Sequence, residues 1–112
     1  MDVANCCPLQ LADPDSIVAY IDAICAALNL KQRGHPVIDK FPSLEVPDDG
    51  SGGITAFQCL SSSALTLHSY PETGQLYVDI FSCREFDTPT AIHYTKAFFR
   101  SNAVMWSLPK RM

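Results

Sequence analysis

Apolar positions recur along this chain with two different spacings, and the change of spacing marks out its elements. Ile17, Ile21, Ile24 and Leu28 fall at helical intervals, with Tyr20 and Cys25 flanking the stripe. The segment Asp13-Pro14-Asp15-Ser16 just before them has the form of a helix start: a capping acid, a proline at the first helical position and a further acid near the positive end of the dipole. The spacing predicts a helix of about 15 residues, ending between Asn29 and Gly34. His35–Phe41 is a short strand confined to an edge by Pro36 and Pro42. Residues Pro42 to Gly53 (PSLEVPDDGSGG) have loop composition. Ile54–Leu60 and then Ala64–Tyr70 read as strands, the latter alternating with period two. Ser61-Ser62-Ser63 links them. Pro71-Glu72-Thr73-Gly74 is a hairpin turn, and Gln75–Phe81 returns. Thr88-Pro89 opens a second helix with Ala91, Ile92, Thr95, Phe98 and Phe99 on its apolar face, and Asn102–Leu108 is a last strand. Elements with one apolar side each predict an α+β fold: a two-layer sandwich in which an antiparallel sheet is covered by two helices.

Length and composition narrow the class. The 112 residues predict one domain over residues 1–112, and 47% apolar with 18% charged is a globular rather than a disordered mixture. A net charge of −4 supplies no basic stripe to neutralise phosphates, which argues against nucleic acid; Lys110-Arg111 reads as a solvated tail. Apolar runs are too short for a membrane span, and the first residues, MDVANCCPLQLADPD, lack the basic and apolar regions of a signal peptide. Five cysteines without zinc spacing predict no metal site and reduced thiols in a cytoplasmic protein.

Chemistry-bearing residues are concentrated between Thr55 and Cys83. Taken singly, each has a plain reading: the serines make a polar turn, His68 is a partly buried strand histidine, Cys83 fills a strand end, and Glu72 is a solvated turn acid. Taken in register they say more. Ser63, then His68-Ser69-Tyr70-Pro71-Glu72, then Val78-Asp79-Ile80-Phe81-Ser82-Cys83 resembles the prokaryotic S-adenosylmethionine decarboxylases. These carry Glu-Ser-His, Ile-His-Thr-Trp-Pro-Glu and Asp-Ile/Leu-Phe-Thr-Cys-Gly in the same order, and Gly53-Ile54-Thr55-Ala56 is similar to their Gly-Val-Ser-Gly.

The resemblance implies a pyruvoyl enzyme that makes its own cofactor. The hydroxyl at Ser63 would attack the carbonyl of Ser62, the chain would be cut between them, and the carbons of Ser63 would remain as a ketone. That ketone would take up electrons as S-adenosylmethionine loses CO2, so providing the aminopropyl donor for spermidine. The same resemblance places His68 in the proton transfers of cutting, Thr55 as their assistant, Cys83 as the acid that reprotonates the product carbon, and Glu72 at the substrate's ribose. Tyr70, Phe81 or Phe41 offers an aromatic face for the sulfonium. It further implies a homodimer with two stacked sheets and sites near the subunit interface. An isolated two-layer unit would in any case leave one sheet face uncovered.

The departures keep two other readings open. Glu-Ser-His is Ser62-Ser63-Ala64 here, the tryptophan before Pro71-Glu72 is Tyr70, and the loop from Pro42 to Gly52 lacks the family's Phe-x-Pro-x-Gly. One alternative is an unprocessed, non-catalytic relative that binds S-adenosylmethionine or regulates a decarboxylase by hetero-dimerisation. The other is a pyruvoyl enzyme for a different amino-acid substrate. In a regular strand, moreover, Ser63 and His68 point to opposite faces, so a bulge or a late strand start would be needed for them to meet.

Overall fold

A computed structural model describes residues 1–41, 52–83 and 85–107. Nine elements follow in the order β1 (Asp2–Ala4), α1 (Pro8–Ala12), α2 (Pro14–Ala27), β2 (Val37–Phe41), β3 (Gly53–Leu60), β4 (Ser63–Tyr70), β5 (Gln75–Ser82), α3 (Thr88–Phe99) and β6 (Ala103–Met105). The six strands form one sheet in the order β2-β3-β4-β5-β1-β6, antiparallel throughout. Helices lie over one face of it. This is the predicted α+β sandwich, enlarged by a third helix and by a strand at the N-terminal end.

The two additions are too short to betray themselves by periodicity. Three residues of β1 show no alternation, yet they fill the slot between β5 and β6. Five residues of α1 make barely more than one turn. What holds that turn is burial of Leu11, fully inaccessible, and the Ser69 hydroxyl donating to the Leu11 carbonyl at 2.7 Å. The predicted Asp13 cap is present, and α3 has one at Asp87 that the spacing did not predict. Asp13 accepts from the Asp15 N–H at 3.1 Å ahead of α2, and Asp87 accepts from the Thr90 N–H at 3.2 Å ahead of α3. The final strand stops at Met105, short of the predicted Leu108, which lies outside the described residues, as do most of the loop from Pro42 and Lys110-Arg111.

Alternation in the central strands sorts the sheet into two unlike faces. Ile54, Ala56, Leu60, Leu65, Leu67, Leu76, Val78 and Val3 all point to the helices and are almost wholly buried. They meet Ile17, Tyr20, Ile21 and Ile24 of α2 and Ala91 and Phe99 of α3 in one core. Tyr20 lies 4.8 Å from Phe99 between ring centroids, and its hydroxyl bonds Thr95 Oγ1 at 2.8 Å, so a buried phenol enters the core with its polar end satisfied. The other face carries Thr55, Phe57, Cys59, Ala64, Thr66, His68, Tyr70, Tyr77, Asp79 and Phe81, none of them buried. No described element covers it.

Candidate functional site

The β3–β4 hairpin closes through two residues, Ser61 and Ser62, between the paired positions Leu60 and Ser63. Ser62 has φ +61°, a left-handed conformation unusual for a residue with a side chain. Ser63 is already the first residue of β4, facing Leu60 on one side and Ser82 on the other. Its hydroxyl donates to Ser82 Oγ at 3.4 Å. Cys83 follows Ser82 directly and is exposed. Ser62, Ser63, Ser82 and Cys83 thus share one end of the sheet.

Thr55 and His68 form a second group. They are directly opposed on β3 and β4, and Thr55 Oγ1 and His68 Nδ1 are 3.1 Å apart. Along the same strand Tyr70 stands among other rings, its centroid 5.9 Å from Phe41 and 5.5 Å from Tyr77. This leaves a half-open aromatic corner beside the histidine. Glu72 sits exposed in the turn beyond it. Phe81 lies on the same sheet face but at the end near Ser63, opposite Ala64.

The structure therefore brings Thr55 to His68 and Ser63 to Ser82, the residue before Cys83, but not the two groups to each other. β4 pairs without a bulge from Ser63 to Tyr70 against both neighbours. Five residues at about 3.4 Å each put Ser63 roughly 17 Å from His68, with side chains on opposite faces. The late strand start that sequence required is absent, because the hairpin needs only two loop residues.

Gly53 explains why the hairpin can close on its far end. It has φ +123°, and a Cβ there would stand 1.9 Å from the Ser69 carbonyl oxygen. Only glycine lets β3 approach β4 this closely, which places Thr55 two residues later at hydrogen-bond distance from His68. Two residues near the site escaped the sequence reading. Ser82 is identifiable only through the register that sets it against Ser63. Gln58 is fully buried, and its amide donates to the carbonyls of Cys59, Arg33 and Gly34 while its oxygen accepts from Gln32 at 3.1 Å. Among the described residues, no group of three or more His, Cys, Asp or Glu is placed to hold a metal ion.

The architecture falls into a known class. A solved adenosylmethionine decarboxylase from Aquifex aeolicus superimposes with a TM-score of 0.70, covering 98% of this chain and 92% of that one at 16% identity, which establishes the fold. Sequence carries the comparison further. The S-adenosylmethionine decarboxylase proenzyme of Thermomicrobium roseum is 38% identical over 80 residues, 69% of this chain and 62% of the relative. That of Fervidobacterium nodosum is 38% identical over 50 residues, 44% of this chain and 36% of the relative. The chain thus spans less than two thirds of the length of the curated relatives it matches. The family model for S-adenosylmethionine decarboxylase matches residues 1–111, and this chain belongs to that family.

Proposed function

We propose that this chain is a pyruvoyl-dependent S-adenosylmethionine decarboxylase that cuts itself between Ser62 and Ser63. The observation that carries the reading is the hairpin itself. It sets the Ser62 carbonyl in a tight, exposed turn immediately before a serine hydroxyl, with Cys83 at the neighbouring strand end. Cutting starts when Ser63 Oγ bonds to the Ser62 carbonyl carbon. The bond from that carbon to the Ser63 nitrogen breaks, and the hydroxyl proton ends on the freed amine. An ester now joins the two residues. Loss of the Ser63 α-proton expels the Ser62 carboxylate, and water replaces the nitrogen as ammonia, leaving a ketone.

The residues present fit such a group: Ser63 has the needed hydroxyl and, once cut, becomes a chain end no longer tied to the turn. The pyruvoyl group supplies the electron sink for loss of CO2. Around it, Cys83 would deliver a proton to the product carbon, His68 with Thr55 would move protons during cutting, and Tyr70 would face the sulfonium while Glu72 holds the ribose.

The uncovered sheet face, with Phe57, Phe81, Val37 and Met105 exposed on it, favours a homodimer as the working unit. Stacking two such faces would put Thr55 and His68 at the interface, while the Ser63 side chain, on the helix side with Leu60 and Leu65, would stay off it. The separation of Ser63 from His68 would suit a non-catalytic relative, and one measurement divides it from the self-cutting enzyme. Intact mass under denaturing conditions should give two fragments, Met1–Ser62 and a blocked Ser63–Met112, with Ser63→Ala remaining whole. CO2 release from labelled S-adenosylmethionine should then follow the cut form. A wild-type chain as whole as the variant would overturn self-cutting.

A further inference from the structure

We infer that Ser62 is a positioning residue for chain cutting, acting through stored backbone strain; the inference rests on the self-cutting read above. Four described non-glycine residues have positive φ. Asn5 and Asn29 are of the type that tolerates it, and Arg100 caps the end of α3. Ser62 has neither excuse. A hairpin with two loop residues ordinarily carries positive φ at the first of them, where it suits the strand twist. Here Ser61 does not have it and Ser62 does.

The turn cannot relax, because its base is held on both sides. β4 pairs with β3 through to Leu60, and on the other edge the connector between α2 and β2 takes over where β2 ends. The Ser61 N–H donates to the Lys31 carbonyl at 2.9 Å, the Arg33 N–H donates to the Cys59 carbonyl at 2.8 Å, and Gln32 bridges to Leu60. Buried Gln58 locks that connector through the carbonyls of Arg33 and Gly34. Such over-determination is what allows an unfavourable conformation to persist.

The acyl shift releases it. Moving the Ser62 carbonyl carbon from the Ser63 nitrogen to Ser63 Oγ inserts Cβ and Oγ into the path between the two residues. The loop lengthens without moving either strand, and Ser62 no longer has to be left-handed. Strain of the size that L-residues carry in this region accelerates the shift by about fivefold to thirtyfold if it is fully relieved at the barrier.

The test follows chain cutting after pulsed cell-free translation of the full-length protein. Ser62→Gly removes the strain, whereas Ser62→Ala keeps it and removes only the hydroxyl. Ser62→Gly should cut about fivefold to thirtyfold more slowly than wild type, with Ser62→Ala close to wild type. On an uncuttable Ser63→Ala background, Ser62→Gly should melt above Ser62→Ala, so stability and cutting rate move in opposite directions. A Ser62→Gly chain cutting as fast as wild type overturns the inference alone, as does a Ser62→Ala chain as slow as Ser62→Gly. A wild-type chain that yields no fragments overturns self-cutting and the inference with it.

Discussion

Hydroxyls and thiols occupy two contrasting environments in this molecule. Thr55 touches His68 Nδ1 on an open sheet face, where a single hydroxyl sets the ring's orientation. Replacing Thr55 with Val keeps the shape and removes the bond; loss of one hydrogen bond of about 1.4 kcal/mol should slow chain cutting roughly tenfold, and Thr55→Ser should restore it. Equal rates for all three would remove Thr55 from the mechanism. Cys6 and Cys25 are buried in the core, and burial pushes both thiols up to about 11, helped by Cys7 beside the first and Asp22 near the second. Their neutral form is the one the fold favours. The stability this gives is complete below the ordinary thiol value near 9.0 and is lost as pH rises towards about 11. Urea midpoints should therefore fall between pH 9 and pH 11, and at pH 8 the folded chain should expose Cys59 and Cys83 to a thiol reagent well before Cys6 and Cys25. Uniform reactivity of these four would contradict the packing.

Among the elements, the β3–β4 hairpin carries the most consequence, and it is pinned at both ends. At its open end Gly53 permits the contact with the Ser69 carbonyl, while the Ser69 hydroxyl accepts from the Ile54 N–H at 3.0 Å and donates to α1. A Gly53→Ala side chain would collide with backbone rather than with a flexible side chain, in a conformation that alanine resists. The expected loss is about 2–4 kcal/mol, measured by urea unfolding of the Ser63→Ala form. A loss below about 0.5 kcal/mol would mean that β3 and β4 can separate there without harm. At the closed end the buried amide of Gln58 ties strand to connector. Neither pin was visible from periodicity, since a glycine looks like loop and a glutamine on a core-facing position looks like an error until its four partners are placed.

For the whole molecule, the uncovered sheet face is the dominant feature. Phe57 is 43% exposed, Phe81 40%, Val37 64% and Met105 75%, all on the side away from the helices. That much apolar surface on one face of a two-layer fold is what a second copy would cover. Sedimentation should find a dimer, and Phe57→Asp should shift it to monomer with its circular dichroism unchanged. If the dimer is also the working unit, the monomeric variant should lose CO2 release. Wild-type protein running as a monomer would mean that this face is not covered by a second copy. No helix among the described residues is long and apolar enough to cross a membrane.

Sequence by itself determined the layers and the inventory. Period-two runs and one helical stripe defined β3, β4, β5 and α2, because burial on one side imposes its own repeat on any element long enough to show it. The spacing of Ser63, His68, Glu72 and Cys83 identified the family, because those side chains were read in order along the chain. What only tertiary structure decided is which of them meet. Register paired Thr55 with His68 and Ser63 with Ser82, and a two-residue turn put a left-handed Ser62 before Ser63. These depend on how strands align across a sheet and on which edge the connector takes. Such long-range pairings are fixed by contacts between distant segments, and local spacing carries no record of them.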